Sequence, residues 1–238
     1  GAYATDDFVV LGMENAKAYD TVDSAEVFGK SGKAFGRFQK YLSDFPAESL
    51  SEIIKNFHNT IWRYENEFIP AVQADNADRA VNCGEEIKFV MQRREDCKKL
   101  VELIEKGELP LRVTHNDTKL NNVLFDSDSD DAICVIDLDT VMPGLALYDF
   151  GDSIRFGANS CAEDDYNYDK VELMLDYFEA YAKGFLSEAG DALNQCEIDN
   201  LAFSAKLMTF ECGMRFLTDY LNGDTYFKTA YPEHNLVR

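Results

Sequence analysis

Residues 114–126 read THNDTKLNNVLFD, and residues 134–140 read CVIDLDT. Leu111 to Thr114, Asn122 to Phe125 and Ala132 to Ile136 are short apolar runs divided by polar turns, the pattern of three short strands. Polar clusters follow two of these runs: His115 to Asp117 after the first and Asp137 after the third. A buried scaffold at such a point holds side chains stiffly at the rim of a site.

These residue types suit one chemistry. Moving a phosphoryl group onto a hydroxyl needs a carboxylate to orient the hydroxyl and take its proton, and oxygen ligands to hold Mg²⁺ against the phosphate. Asp117 and Asn122 stand five positions apart, the spacing of the base and a metal ligand in a kinase catalytic loop. Lys119 adds a cation where negative charge shifts during transfer. Asp137, at the end of the third run, is the preferred metal carboxylate. Asp139, two residues on, supplies a second contact or caps the turn before Pro143 and Gly144.

Asp149, Phe150 and Gly151 spell the three-residue metal motif of protein kinases, but Asp149 lies 27 residues past Asn122, against 15 for Asp137. Asp149 is therefore expected to be structural, a brace for the loop that also caps a helix beginning near Ser153. His115 is read as a loop brace, a buried imidazole satisfied by backbone. Asp126, Asp128 and Asp130 alternate like the start of a calcium loop, but Asp131 replaces the required glycine, and a solvated hairpin tip is the better reading. Asp152 and Arg155, three apart, suggest a local ion pair. His58 and His234 belong to no constellation.

Outward from this centre the pattern is helical. Asp23 and Glu26 form a capping-box pair before Val27, Phe28, Ala34, Phe35, Phe38, Tyr41 and Leu42, which recur at helical spacing until Pro46. A second helix is expected from about Glu85 to Lys106, with Gly107 at its stop. Val171 to Phe185 and Ile198 to Phe216 carry two more apolar stripes. Arg215 breaks the last stripe three residues after Cys212, and an inward charge there needs a substrate group or a buried partner. The expectation is an α+β fold, mainly helical around a small β element, in a single domain covering residues 1–238.

Composition narrows the partners. The 44 acidic against 23 basic residues give a net charge of −21, which disfavours nucleic acid and anionic membranes. Six scattered cysteines without a CxxC pair suggest reduced thiols. No run of about 18 apolar residues and no charged segment followed by an apolar run is found, so a cytoplasmic protein is expected.

The stretches HNDTKLNNVLFD (115–126), VIDLDTVMPGLALYDFGDSIRFGAN (135–159) and FECGMRFLTDYLNGDTYFK (210–228) make this chain resemble the aminoglycoside phosphotransferase and choline kinase superfamily, closest to bacterial N-acetylhexosamine 1-kinases. The resemblance implies a protein-kinase-like C-terminal lobe, ATP as donor, Mg²⁺, and an N-acetylated hexosamine as acceptor. By that likeness Asp117 would be the base, Asn122 and Asp137 would hold metal, and Arg215 and Tyr226 would contact the sugar. Kinases of this type also carry an N-terminal β-rich lobe with a phosphate-covering loop and a lysine, and nothing before Asp23 has the length or glycine pattern for them. With Gly1 at the start and no helix stop at Arg238, the expectation is a C-terminal lobe whose nucleotide lobe is missing and whose activity alone is weak. The rival readings are a choline, ethanolamine or aminoglycoside kinase and, from another class, a non-catalytic sugar-binding remnant.

Overall fold

A computed structural model describes residues 2–5, 8–11 and 13–238, so Gly1 lies outside the described residues. The chain opens with an antiparallel ribbon of β1 (Ala2–Thr5) and β2 (Phe8–Leu11), then β3 (Ala16–Lys17). Helix α1 (Ala25–Tyr41) leads to α2 (Thr60–Arg63), a π turn at 64–68, α3 (Ile69–Ala74), α4 (Gly84–Met91) and α5 (Arg94–Glu105). The central β elements are β4 (Arg112–Thr114), β5 (Val123–Asp126), β6 (Ala132–Val135) and β7 (Met142–Gly144). Helices α6 (Ala146–Gly157), α7 (Leu175–Ala189), α8 (Gln195–Leu221) and α9 (His234–Val237) complete the chain.

The three expected strands form, but in two separate ribbons. β4 pairs with β7, placing Thr114 opposite Met142, and β5 lies between β3 and β6, placing Val123 opposite Val135. Both pairings are antiparallel, and together they bring the chain after Thr114 and the chain after Val135 to one place. The acidic stretch between β5 and β6 is a hairpin tip: Asp126 Oδ1 accepts from Asp128 N and Ser129 N, and Asp130 is bonded to Lys17 and Tyr19.

Several boundaries differ from expectation, each for a local reason. The cap of α1 is Ser24, whose Oγ accepts from Val27 N at 3.2 Å, while Asp23 is engaged by Thr21. α1 stops at Tyr41, before Pro46. The helix expected from Glu85 to Lys106 divides at Gln92 and Arg93. There the Arg93 side chain takes the Phe89 carbonyl at 2.9 Å, the acceptor that its own backbone N–H would use in a continuous helix, and Arg93 N turns to Val90 O. α6 begins at Ala146, so Asp149 lies inside its first turn and caps no helix at Ser153. Val171 is half exposed and precedes α7.

Two apolar clusters hold the helices. The larger joins α1, α6, α7 and the N-terminal half of α8 through Phe28, Phe35, Phe150, Tyr181 and Phe185. The smaller packs Tyr64, Phe68, Cys83 and Cys97 under Met214, Leu217 and Leu221, so α8 spans both. Burial pushes the Cys97 thiol up to about 12 and Cys83 to about 11, which leaves them protonated packing groups. No described helix is long and apolar enough to cross a membrane.

α1 and α7 touch along glycines. Gly29, Gly32 and Gly36 share a face of α1, and a Cβ on Gly32 would fall 2.5 Å from the Tyr181 carbonyl, with Gly36 tighter still against Phe185. Since the obstacle is backbone, relief requires helix displacement. Gly36→Ala should lower stability by about 1–3 kcal/mol, read as a lower midpoint in urea unfolding. An unchanged midpoint would show that the two helices separate freely.

Candidate active site

The loop after β4 is gripped by one face of α6. Asp149, Asp152 and Ser153 recur at three- and four-residue spacing and so point the same way. Asp149 Oδ2 accepts from His115 N at 3.0 Å and Oδ1 from Asn116 N at 2.8 Å. Asp152 Oδ2 accepts from Thr118 N at 3.2 Å, and Ser153 Oγ donates to Thr118 O at 2.7 Å. Thr118 Oγ1 returns a bond to Asp149 O at 2.6 Å. Gln39 from α1 adds a third donor to Asp149 at 2.8 Å.

Asp149 is 1% exposed, and burial pushes its carboxyl above the usual range, against the pull of its donors. Both of its oxygens accept from N–H groups, an arrangement suited to the anion. For Asp152 burial acts in the same sense, but Arg155, with His58 and Lys119, outweighs it and holds that carboxyl below its ordinary value. The Asp152–Arg155 ion pair, expected from the spacing, measures 3.0 Å.

His115 is fully buried, and its two ring nitrogens have different partners. Nδ1 accepts from Asp117 N at 3.3 Å, and Nε2 lies 2.9 Å from Ile136 O. A backbone N–H can only donate and a carbonyl can only accept, so the ring is the neutral tautomer with its proton on Nε2. His115 thereby ties the loop to the residue immediately before Asp137. Asn116, with φ 65°, adds a bond to Thr140 O at 2.9 Å.

Asp117, Lys119 and Asn122 are brought together on this frame. Asp117 Oδ1 lies 2.8 Å from Lys119 Nζ, and Oδ2 accepts from Asn122 Nδ2 at 3.1 Å. Asn122 Nδ2 also donates to Asp117 O at 2.8 Å, and among the described residues its Oδ1 accepts no hydrogen bond. Ile136 N donates to Asn122 O at 2.9 Å, extending the β5–β6 ladder to within one residue of Asp137. Asp137 is exposed in the left-handed region, with φ 62°, and among the described residues its carboxylate makes no hydrogen bond or ion pair. Asp139 is likewise exposed. No cluster of three His, Cys, Asp or Glu side chains with metal-site geometry occurs among the described residues. An Asn122 oxygen with one or two carboxylates, completed by phosphate oxygens, is nevertheless a hard-oxygen set suited to Mg²⁺.

Arg215 and Tyr226 also meet. The Arg215 guanidinium lies 5.4 Å from the ring centre of Phe57, 5.8 Å from Tyr226 and 5.4 Å from Phe227, and it forms no ion pair among the described residues. Phe57 adjoins His58, whose ring centre lies 5.2 Å from that of Tyr148 on α6, so this wall of the cage stands beside the helix that grips the loop. Sequence reasoning missed Phe57 and Phe227, which no local pattern marks. It also gave no role to His58, whose Nδ1 lies 2.8 Å from the buried Glu211, or to His234, whose Nδ1 accepts from Ala230 N.

Asp149→Asn would turn one accepting oxygen into a donor facing donors, at a cost of about 1–3 kcal/mol for the group left unpaired. Chemical denaturation should register that loss, and the His115 and Asn116 amides should exchange faster with deuterium. Retained protection at both amides would refute the bracing assigned to Asp149.

The sequence profile of the APH phosphotransferase enzyme family matches residues 5–188. Among solved structures, the chain is similar to an ethanolamine kinase of Plasmodium vivax, at 16% identity and a TM-score of 0.58. That alignment covers 100% of this chain and 66% of the kinase, so the chain spans just under two thirds of that protein's length. The match over residues 5–188 places the chain in the APH phosphotransferase enzyme family, with the fold of a small-molecule kinase.

Proposed function

We propose that this chain carries the catalytic and acceptor-binding part of an ATP- and Mg²⁺-dependent phosphotransferase acting on a sugar hydroxyl, in the manner of an N-acetylhexosamine 1-kinase. The observation that carries the reading is Asp117, held between Lys119 at 2.8 Å and Asn122 at 3.1 Å on a loop braced from below. A carboxylate so fixed can orient an acceptor hydroxyl and receive its proton as the new oxygen–phosphorus bond forms. The bond from the γ-phosphorus to the bridging oxygen breaks, and its electrons leave with the nucleoside diphosphate. Lys119 offsets charge that develops on the transferring group. Asn122 Oδ1 and Asp137, with Asp139 as a second carboxylate, would hold Mg²⁺, which when bound neutralises phosphate charge.

The acceptor class follows from Arg215. A site for choline or ethanolamine would use aromatic faces to receive the ligand's cation. Here Phe57, Tyr226 and Phe227 surround a cation that belongs to the protein. A second cation would meet repulsion, whereas a neutral sugar can stack on exposed Tyr226 and accept hydrogen bonds from the guanidinium. The alternative reading, an ethanolamine or choline kinase, draws support from the named function of the Plasmodium vivax protein and from the net charge of −21.

Transfer from ATP should be tested on N-acetylglucosamine, N-acetylgalactosamine, choline, ethanolamine and an aminoglycoside. Sugar turnover is expected to lead, and Asp117→Asn should reduce it about 10²–10⁴-fold without weakening sugar binding. Preference for choline or ethanolamine would select the alternative, and sugar binding with no transfer to any acceptor would select a non-catalytic remnant.

A further inference from the structure

Glu211, Arg215 and Asp219 stand four residues apart on α8 and share one face. Asp219 is out of place by the ordinary rules of helices. It lies in the last turn, where the helix dipole disfavours an anion, it is 4% exposed, and it forms no ion pair among the described residues. Its charge is met by N–H groups instead. Oδ1 accepts from Thr225 N and Tyr226 N, both at 2.8 Å, while Oδ2 accepts from Phe227 N at 2.9 Å and Asn235 Nδ2 at 2.8 Å. Three successive backbone donors wrapped on one carboxylate form an anion nest, here filled by the protein's own side chain.

The residues held in this way bear two walls of the Arg215 cage. Tyr226 is 70% exposed, so packing does little to fix its ring and the backbone anchor does most. The other end of the loop is also tied: Asp224 pairs with Arg79 at 2.6 Å and accepts from Asn235 Nδ2 at 2.9 Å. Arg79 in turn donates to the Tyr220 carbonyl at 3.0 Å, at the end of α8. One helical turn thus carries both the cation of the cage and the anchor of its walls, so the two keep a fixed separation.

We infer that Asp219 is a positioning residue for the acceptor: it sets the 225–227 backbone so that Tyr226 and Phe227 stand at working distance from Arg215. The inference rests on the acceptor-site reading above. Asp219→Asn keeps the size but turns a donor toward Phe227 N and Asn235 Nδ2. On the full chain, calorimetry should show N-acetylglucosamine binding weakened about tenfold or more, with Mg·ATP binding unchanged and faster deuterium exchange at Tyr226 and Phe227. A purely structural lesion would weaken both ligands alike, and that result overturns the inference. Should Asp219→Asn fail to fold, Asn235→Ala removes one of the four donors to Asp219, together with its bond to Asp224, and should weaken sugar binding in the same selective way; unchanged binding overturns the proposal. If Arg215→Ala abolishes sugar binding while Asp219→Asn leaves it intact, the acceptor site stands and the positioning role falls. If the unsubstituted chain binds no sugar, or Arg215→Ala has no effect, the acceptor-site reading fails and takes this role with it.

Discussion

The site depends on the Asp149 carboxylate. One buried anion receives His115 N, Asn116 N and Gln39 Nε2, and so joins the loop after β4 to α6 and α1 in a single node. Burial disfavours that charge, but backbone donors withdrawn from water also need an acceptor, and each cost is offset by the other. What the node secures is loop shape. With residues 115, 116 and 118 fixed from α6, Asp117 and Asn122 are set before any ligand arrives, and on the proposed reading their geometry need not be formed at the moment of reaction.

The two helices that build the site do so by periodicity alone. On α6 one face supplies Asp149, Asp152 and Ser153 to the loop, while Gly151, on another side, lets α8 approach: a Cβ there would fall 2.5 Å from Ser204 O. On α8 the charged positions 211, 215 and 219 interrupt an apolar helix every fourth residue. Glu211 is held ionised although burial opposes it, because His58 and Thr60 bond to it and Arg63 is near. That pair anchors the segment bearing Phe57, just as Asp219 anchors the segment bearing Tyr226. Arg215 lies between the two anchors, with an aromatic wall attached to each.

Legibility in the sequence followed distance along the chain. The loop after β4, the β5–β6 hairpin and the amphipathic helices were readable because their patterns close within a few residues. The assignment of Asp117, Lys119 and Asn122 to one cluster rested on a five-residue spacing, and those side chains do touch. Asp149 was read as a structural brace and as a helix cap; only the cap fails, and the loop amides it braces lie 33 and 34 residues upstream, where nothing local reveals them. The break at Arg93 escaped because apolar spacing continues across it, while the competing bond comes from a charged side chain that such spacing does not report. Asp219 had no signal at all, because its partners are backbone N–H groups, which every residue but proline carries.

On the proposed reading, net charge is a poor guide to the acceptor for a related reason. A total of −21 favours cationic ligands at long range, but screening confines that influence to about 8 Å at physiological salt. Inside the site the acids are mostly engaged: Asp117 with Lys119, Asp152 with Arg155, Asp149 with N–H donors. Among the described residues of the site, the charges left without an ion pair are Asp137 and Asp139 after β6 and Arg215 on α8. On the proposed reading this separation divides the labour, the free carboxylates drawing the cation that accompanies a nucleotide and the free guanidinium turning cationic acceptors away. On that same reading the acceptor is chosen by a group that is positive although the protein is strongly negative.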